Sequence, residues 1–301
     1  MLNDSPLVSV GARERVRRTI DELGYRRSST ARNLSLGRTQ TSGVVAPFFT
    51  SGSVLERLRG VVERLRQGGD WALLLLTWTL TQRADAFRNF ARSDRVDGLL
   101  IMSLRPSHAE VESLQREGLA AVLLDASHPA LARVVIDDLL GGEIATERLL
   151  GKGHTRIGFV GDAPSPFGFT SSELRRRGMG RAMRRAGIKP QSVLYQRGPH
   201  GRDEARESAE RLPRLPKPPT ATFAACDMQA MGVLEAAREH GLRVPQDLAL
   251  IGFDDIEVAA VLDLTTVRQP LRETGYRGAE LPISTIDGVA SRPSKSSHRL
   301  S

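Results

Sequence analysis

After residue 40, short apolar runs alternate with longer stretches whose apolar residues recur three and four positions apart, as in Val54, Leu58, Val61 and Leu65. That spacing predicts amphipathic helices, whereas a continuous apolar run bounded by turn residues predicts a strand buried on both faces. Strands that alternate with helices in this order form parallel sheets. The predicted strands lie at 42–46, 72–77, 98–102, 120–124, 134–136, 157–160, 193–195, 222–225 and 248–252.

Nine strands fit two sheets of ordinary width better than one very wide sheet. The sequence therefore predicts a doubly wound α/β protein with two Rossmann-like subdomains. A chain of 301 residues is long enough to bury a core in each. Its 40% hydrophobic and 26% charged residues argue against a disordered, collagen-like or membrane-embedded protein.

Three features bear on the compartment. The longest apolar run, 71–80, is too short to span a bilayer, and the first residues lack the pattern of a secretory signal. The single cysteine, Cys226, excludes intramolecular disulfides and Cys-cluster metal sites. We therefore expect a soluble cytoplasmic protein with no membrane partner.

Carboxylates directly follow five of the apolar runs. The carboxyl ends of parallel strands are where α/β proteins bind ligands, and carboxylates accept hydrogen bonds from hydroxyl groups. A sugar or polyol would suit such a set, although each acid could instead cap the helix that follows it. The five residues are Asp125, Asp137, Asp162, Asp227 and Asp254.

The first 40 residues are rich in arginine, with eight arginines against four acidic residues. Val16, Ile20 and Leu23 predict an amphipathic helix, with Ser9 as a possible N-cap and Gly24 as the C-terminal stop. The next segment, 28–36, is too short to form a stable helix by itself. A positive charge concentrated in this way would suit a polyanionic partner.

Four segments of the chain together resemble bacterial transcription regulators of the LacI/GalR family. They include LNDSPLVSVGARERVRRTIDELGYR, TARNLSLGRTQTSGVVAP, LLGKGHTRIGFVGD and the long stretch 221–271 with its GFDD. The resemblance implies a helical DNA-binding headpiece and hinge, followed by a core similar to type I periplasmic binding proteins. The implied ranges are a partial helix-turn-helix headpiece at 1–27, a hinge helix and linker at 28–40, a core at 41–301, an N-subdomain at 41–138 with 268–290, a C-subdomain at 139–267 and a disordered tail at 291–301.

The resemblance also implies a function: a dimeric DNA-binding repressor that responds to a sugar or small polyol, with no cofactor and no catalytic activity. Leu34 matches a hinge residue that wedges into the minor groove. The family's first two headpiece helices precede the position of Met1, so we expect operator binding by this chain alone to be weakened or lost. The other implied DNA contacts are Ala31, Arg32, Arg26 and Arg27.

Within the core, Arg175 matches an arginine that clamps the effector, and Asp254 matches an acid that accepts sugar hydroxyls. A sugar sensor or receptor of the same fold without DNA binding remains an alternative. An enzyme is disfavoured because the chain has no nucleophile elbow, Walker loop or metal-binding histidine pair. The remaining implied effector residues are Asp125, Asp137, Cys226, Gln269, Phe48 and Phe49.

Overall fold

The computed structural model describes residues 9–24, 38–48, 51–77, 80–90, 94–165 and 167–286. The chain divides into two units, Met1–Gln40 and Thr41–Ser301. In the first, helix α1 (Val10–Glu22) begins after Ser9, whose side chain accepts a hydrogen bond from the Ala12 backbone, and Gly24 follows it at a φ of 58°. The following predictions lie outside the described residues: the hinge helix, Leu34, Ala31, Arg32, Arg26, Arg27, Phe49 and the tail at 291–301.

In the second unit, strands and helices alternate as predicted. The strands are β1 (Thr41–Pro47), β2 (Trp71–Thr77), β3 (Gly98–Met102), β4 (Ala120–Leu124), β5 (Ala132–Val134), β6 (Ile157–Asp162), β7 (Tyr195–Gly198), β8 (Ala221–Ala224), β9 (Ala249–Asp254) and β10 (Thr265–Arg268). The helices are α2 (Gly52–Gly68), α3 (Leu80–Phe90), α4 (His108–Arg116), α5 (Asp138–Leu150), α6 (Ser171–Arg185), α7 (Arg202–Ala209), α8 (Asp227–Glu239), α9 (Glu257–Val261) and α10 (Leu271–Ile286).

The strands form two parallel five-stranded sheets, ordered β2-β1-β3-β4-β5 and β7-β6-β8-β9-β10. Each sheet follows the same doubly wound order, which confirms the predicted fold class. We call the first sheet with its helices lobe 1 and the second lobe 2. The chain passes from lobe 1 to lobe 2 between β5 and α5 and returns between β10 and α10, which packs on α2 and β4.

Each sheet is covered on both faces, which explains why its central strands are apolar without alternation. Along β3, Leu99 and Ile101 enter one core cluster of lobe 1, while Leu100 enters the other. All three side chains are at most 1% exposed. Burial of a side chain of this size contributes about 1.5–3 kcal/mol, so the continuous runs are the main source of each lobe's stability.

Glycines allow two helix pairs to approach closely. A Cβ atom on Gly142 of α5 would overlap the backbone carbonyl of Arg175 in α6, and one on Gly178 of α6 would overlap that of Leu139. In lobe 1, a Cβ atom on Gly275 of α10 would overlap the carbonyl of Arg57 in α2. The two helices that carry the buried arginines Arg57 and Arg175, α2 and α6, are therefore fixed by backbone contact.

Two strands lie away from their predicted positions, and one was not predicted. The strand predicted at 134–136 is Ala132–Val134, and the strand predicted at 193–195 is Tyr195–Gly198, preceded by a single 3-10 turn. Strand β10 was missed. Among the described residues, no helix is long and apolar enough to cross a membrane.

Candidate functional site

A cavity of about 60 Å³ lies where the two lobes face each other. The carboxyl ends of strands from both sheets surround it, which is the usual ligand position in doubly wound folds. Lobe 1 contributes Phe48, Arg57, Ser103 and Asp125. Lobe 2 contributes Asp162, Phe169, Arg175, His200, Cys226, Gln229 and Asp254, and Gln269 lies on the segment that returns to lobe 1.

Arg175 extends from α6 into the cavity and is held by lobe 2 from several directions. Its Nε and a terminal nitrogen lie 2.9 and 2.8 Å from Asp138 Oδ1, and another nitrogen donates to the Ala225 carbonyl at 2.6 Å. The guanidinium carbon lies 3.7 Å from the centre of the Phe253 ring. Burial lowers the pKa of Arg175, but the surrounding carboxylates outweigh it and keep that pKa above its ordinary value. The guanidinium is therefore a fixed positive charge in the cavity wall.

Asp254 follows β9 and faces the same guanidinium. Its Oδ1 lies 3.7 Å from a terminal nitrogen of Arg175 and accepts a hydrogen bond from Gln269 Nε2. Burial raises the pKa of Asp254 to about 7, although Arg175 opposes the change. This carboxyl group therefore exchanges a proton near neutral pH. A hydroxyl group of a bound ligand would replace Gln269 as the hydrogen-bond donor to it.

Arg57 supplies the corresponding charge from lobe 1. A terminal nitrogen of this arginine lies 3.3 Å from Asp125 Oδ2 and donates to Gln269 Oε1 at 3.1 Å. Asp125 also accepts a hydrogen bond from Ser103 Oγ at 2.9 Å. Since Gln269 also donates to Asp254, one chain of hydrogen bonds runs from Arg57 in lobe 1 to Asp254 in lobe 2.

An aromatic wall closes another side of the cavity. The Phe48 ring centre lies 5.4 Å from that of Phe169 and 5.0 Å from that of His200. His200 Nδ1 lies 3.1 Å from Asp162 Oδ1, which also accepts from Gln229 Nε2 at 2.7 Å. Burial lowers the pKa of His200, but Asp162 outweighs it and raises that pKa above the ordinary value. This wall combines an apolar surface with a partly charged edge.

The backbone at this site is strained at several strand ends. Phe48, Ser103, Asp125 and Asp254 have φ angles of 47°, 49°, 57° and 119°. Residues other than glycine are uncommon in this region, and each such residue costs on the order of 1–3 kcal/mol. Strain at four cavity residues indicates that the surrounding fold holds these side chains in position.

Most of the predicted effector residues meet at this cavity: Arg175, Asp254, Asp125, Cys226, Gln269 and Phe48. Asp137 does not line it, contrary to expectation, because its side chain accepts a hydrogen bond from Leu140 N and caps α5. Asp227 also has a structural role, because its carboxylate is buried and accepts hydrogen bonds from Thr266 and the Ile256 backbone. The helix-capping alternative therefore holds for Asp137, whereas Asp227 neither caps the helix that follows it nor lines the cavity.

Several site residues were not predicted. Arg57 was detectable from sequence, because it lies three residues after Val54 and four before Val61, at the spacing of the apolar face of α2. Asp138 follows a strand-end acid directly, and its pairing with Arg175 depends on the crossing of α5 and α6. His200 lies in a loop with no periodic pattern. Ser103, Phe169 and Gln229 were also missed, whereas Asp162 was one of the five strand-end acids and does line the cavity.

Comparisons with known proteins agree with this architecture. A family model described as a periplasmic binding protein-like domain matches residues 146–300. The ribose operon repressor of Escherichia coli (strain K12) is 32% identical over 305 residues, an alignment that covers 100% of this chain and 90% of the repressor. The chain is therefore similar to that repressor over nearly its whole length.

Two solved structures resemble the chain closely. The transcriptional regulator CelR–cellobiose complex superimposes with a TM-score of 0.77 at 28% identity, covering 97% of this chain and 89% of that one. A LacI family transcriptional regulator from Enterococcus faecium with bound ribose gives a TM-score of 0.74 at 25% identity, covering 84% of this chain and 92% of that one.

Proposed function

The chain belongs to the LacI/GalR family of transcriptional regulators, and from this premise we propose that it is a repressor whose DNA binding responds to a sugar-like effector. A relative matched along nearly the whole chain is a ribose operon repressor, and two similar structures contain cellobiose and ribose. The domain ranges expected from the sequence follow from the same premise. They assign 1–27 to a partial DNA-binding headpiece, 28–40 to the hinge and 41–301 to the effector core.

The effector proposal rests on one observation: guanidinium groups and carboxyl groups lie close together around the cavity. Arg57 and Arg175 present guanidinium groups, while Asp125 and Asp254 present carboxyl groups. A sugar hydroxyl both donates and accepts hydrogen bonds, so one ligand can satisfy both kinds of group. The ring of Phe48 offers an apolar surface of the kind that covers one face of a sugar ring.

The route from effector to DNA is proposed to pass through Gln269. Its side chain bonds Arg57 in lobe 1 and Asp254 in lobe 2, so a ligand whose hydroxyls bond those two residues changes how the lobes are held together. A change in lobe spacing in each subunit of a homodimer would alter the separation of the paired hinge segments. The expected groove contacts are those of Leu34 and Ala31, with phosphate contacts from Arg32, Arg26 and Arg27.

The site is proposed to bind its ligand without transforming it. Arg175 and Asp138 are held in a buried pair, and Asp254 is hydrogen-bonded to Gln269, an arrangement that suits recognition. The ribose operon repressor, 90% of which aligns with this chain, is a regulator. Recovery of the bound sugar unchanged after prolonged incubation is the expected result, and a converted product would refute a purely binding role.

The test is calorimetric titration of the full chain with ribose, cellobiose and related sugars, with and without a duplex selected from a random DNA pool. Allosteric coupling is reciprocal, so bound DNA should change sugar affinity by a factor equivalent to about 1–3 kcal/mol. Asp254→Asn should weaken sugar binding. Asp137→Asn, which keeps the helix cap and lies outside the cavity, is the matched control and should bind normally.

The outcomes separate the alternatives. Equal sugar affinity with and without a bound duplex would favour the sugar sensor without DNA binding. No sugar binding under any condition would contradict the assignment of the cavity. Equal losses in Asp254→Asn and Asp137→Asn would mean that the effect does not come from the cavity.

A further inference from the structure

The outer surface of α6 carries a second concave region, separate from the effector cavity. Its volume is about 210 Å³. Its floor includes Gly180, which has no side chain to fill it, and Pro190 and Tyr195 complete its wall. Four guanidinium groups surround the space. We call this the arginine groove, and its arginines are Arg176, Arg177, Arg181 and Arg184.

The groove has an excess of positive charge that lobe 2 does not neutralise. Arg177 and Arg184 form no ion pair with an acidic side chain in the part of the chain that the structure describes. Arg181 lies 3.7 Å from Glu143, a carboxylate that already bonds Arg185 at 3.0 Å. The groove therefore has guanidinium donors available for an external anion.

The spacing of these arginines is also unfavourable without such an anion. Arg177, Arg181 and Arg184 follow at intervals of four and three residues, so they share one face of α6. Like charges at this spacing repel each other and destabilise a helix. A bound anion would remove that repulsion.

Side-chain contacts hold one wall of the arginine groove in place. Glu173 holds Arg176 through two bonds of 2.8 and 2.6 Å, and the guanidinium of Arg176 lies 5.3 Å from the centre of the Tyr195 ring. The Tyr195 phenol oxygen is buried, and Arg176 is the charged side chain beside it. Burial raises the pKa of Tyr195, against the opposing effect of Arg176 and Arg184, so the phenol keeps its proton.

We propose that the arginine groove binds a phosphorylated small molecule. A guanidinium group matches a phosphate through paired N–H donors, and several around one concavity suit a phosphate dianion. The concave shape favours a small ligand over a nucleic acid duplex, which needs an extended surface. This inference is independent of the proposed repressor function, because none of the four groove arginines lines the effector cavity.

The test is calorimetric titration of the full chain with inorganic pyrophosphate, a hexose monophosphate and the same hexose without phosphate. The test variant replaces Arg177, Arg181 and Arg184 with glutamine, which preserves helix propensity at three exposed positions. The control replaces three exposed arginines on other helices, Arg66, Arg88 and Arg238, and so removes the same formal charge.

The expected result is saturable binding of both phosphate compounds to the natural chain and to the control variant. The groove variant should bind them at least about tenfold more weakly, because it has lost the charge-assisted bonds of three guanidinium groups. Binding of the phosphate-free hexose should be equal in all three proteins.

Three results would overturn the proposal. One is no saturable phosphate binding at physiological ionic strength, which would leave only non-specific attraction. Another is an equal loss in the groove and control variants, which would reflect net charge alone. The third is a short DNA duplex whose affinity falls in the groove variant while phosphate compounds do not bind, which would make this face a nucleic acid contact.

Discussion

At the scale of single residues, Asp254 combines two features that destabilise a folded protein: a buried carboxyl group and an unfavourable backbone angle. It is a buried acid, 5% exposed, and its φ of 119° lies in a region that favours glycine. Burial raises its pKa to about 7 even though Arg175 is close by. A group with these properties makes the stability of the protein depend on pH.

We expect the free energy of unfolding to fall as pH rises from about 4 to about 7, the range between the ordinary and the raised pKa of Asp254. In that range the unfolded chain has lost the proton while the folded protein keeps it. The folded state therefore binds more protons, and raising the pH favours unfolding. Asp254→Asn should make this slope shallower by up to about 1.4 kcal/mol per pH unit, as measured by urea denaturation.

The matched control is Asp255→Asn. Asp255 is the next residue along the chain, but its carboxylate pairs at the surface with Arg268, whose side chain is 83% exposed. Its replacement should change the slope less than that of Asp254 does. If the free energy of unfolding depends on pH in the same way in Asp254→Asn and in the natural chain, Asp254 does not hold a proton in the folded protein at acid pH.

The Arg175–Asp138 pair should contribute far more than a surface pair. Both side chains are buried, so removing either partner leaves an uncompensated polar group, at a cost of about 3–5 kcal/mol. A double-mutant cycle with Arg175→Met and Asp138→Asn should give a coupling energy of about 1–3 kcal/mol in denaturation experiments. The same cycle on the exposed pair of Arg243 and Asp247 should give a much smaller coupling, because solvent screens both charges. Equal couplings in the two cycles would contradict this interpretation.

At the scale of secondary-structure elements, the crossing of α5 and α6 positions the arginine in the cavity. Gly178→Ala should destabilise the protein by about 1–3 kcal/mol, because the added methyl would overlap the Leu139 carbonyl, which cannot rotate away. The helices would separate, and sugar affinity would fall because Arg175 moves with α6. Thermal unfolding and calorimetric titration measure the two effects.

Gly180 provides the comparison within the same helix. A Cβ atom there would meet only the guanidinium of Arg184, at 3.2 Å, which is the end of a flexible side chain. Gly180→Ala should therefore be neutral or stabilise the protein by up to about 1 kcal/mol through helix propensity. A loss of stability as large as that of Gly178→Ala would show that the crossing is not the cause.

Sequence patterns predicted the central strands well and three of the four edge strands poorly, for a physical reason. The fourth edge strand, β2, was predicted because its run WALLLLT is continuously apolar. β1, β3, β4, β6, β8 and β9 are covered on both faces and read as continuous apolar runs. β5, β7 and β10 lie at sheet edges and are partly exposed, so polar residues interrupt them, as in Thr265–Arg268. The residues that follow the central strands were correspondingly easy to predict as site candidates.

The site residues that sequence missed depend on contacts between elements. Arg57 reaches Gln269 across 212 positions of sequence, and Arg175 reaches Asp138 across 37. Local spacing carries no signal for such pairs. Asp137 was assigned to the cavity on its position after a strand, but the neighbouring Asp138 provides the buried carboxylate while Asp137 caps the helix.

At the scale of the whole core, a segment of lobe 2 packs into lobe 1. Phe167, on the segment after β6, belongs to the core cluster of lobe 1 that includes Leu104 and Leu123. Its carbonyl accepts a hydrogen bond from the Arg105 backbone at 3.3 Å. Phe48 and Phe169 pack against the same ring. This contact holds the two lobes together beside the cavity.

Phe167→Ala should therefore open the molecule rather than unfold it. Small-angle X-ray scattering should show a larger radius of gyration, and sugar affinity should fall at least about tenfold because the closed arrangement becomes the minor state. Phe87→Ala is the control, since Phe87 is buried in the same cluster but belongs to lobe 1 itself. It should lower stability without expansion. Equal expansion in both variants would contradict a pinning role for Phe167.

The strained strand ends have a consequence for evolution and engineering. Glycine at Ser103, Asp125 or Asp254 would relieve an unfavourable φ angle, and at Asp254 it would also remove a buried acid. The substitutions that most readily increase heat resistance thus coincide with the chemistry of the cavity. Under selection for heat resistance alone, in nature or in a laboratory screen, the protein would therefore lose its proposed effector binding while it retained its fold.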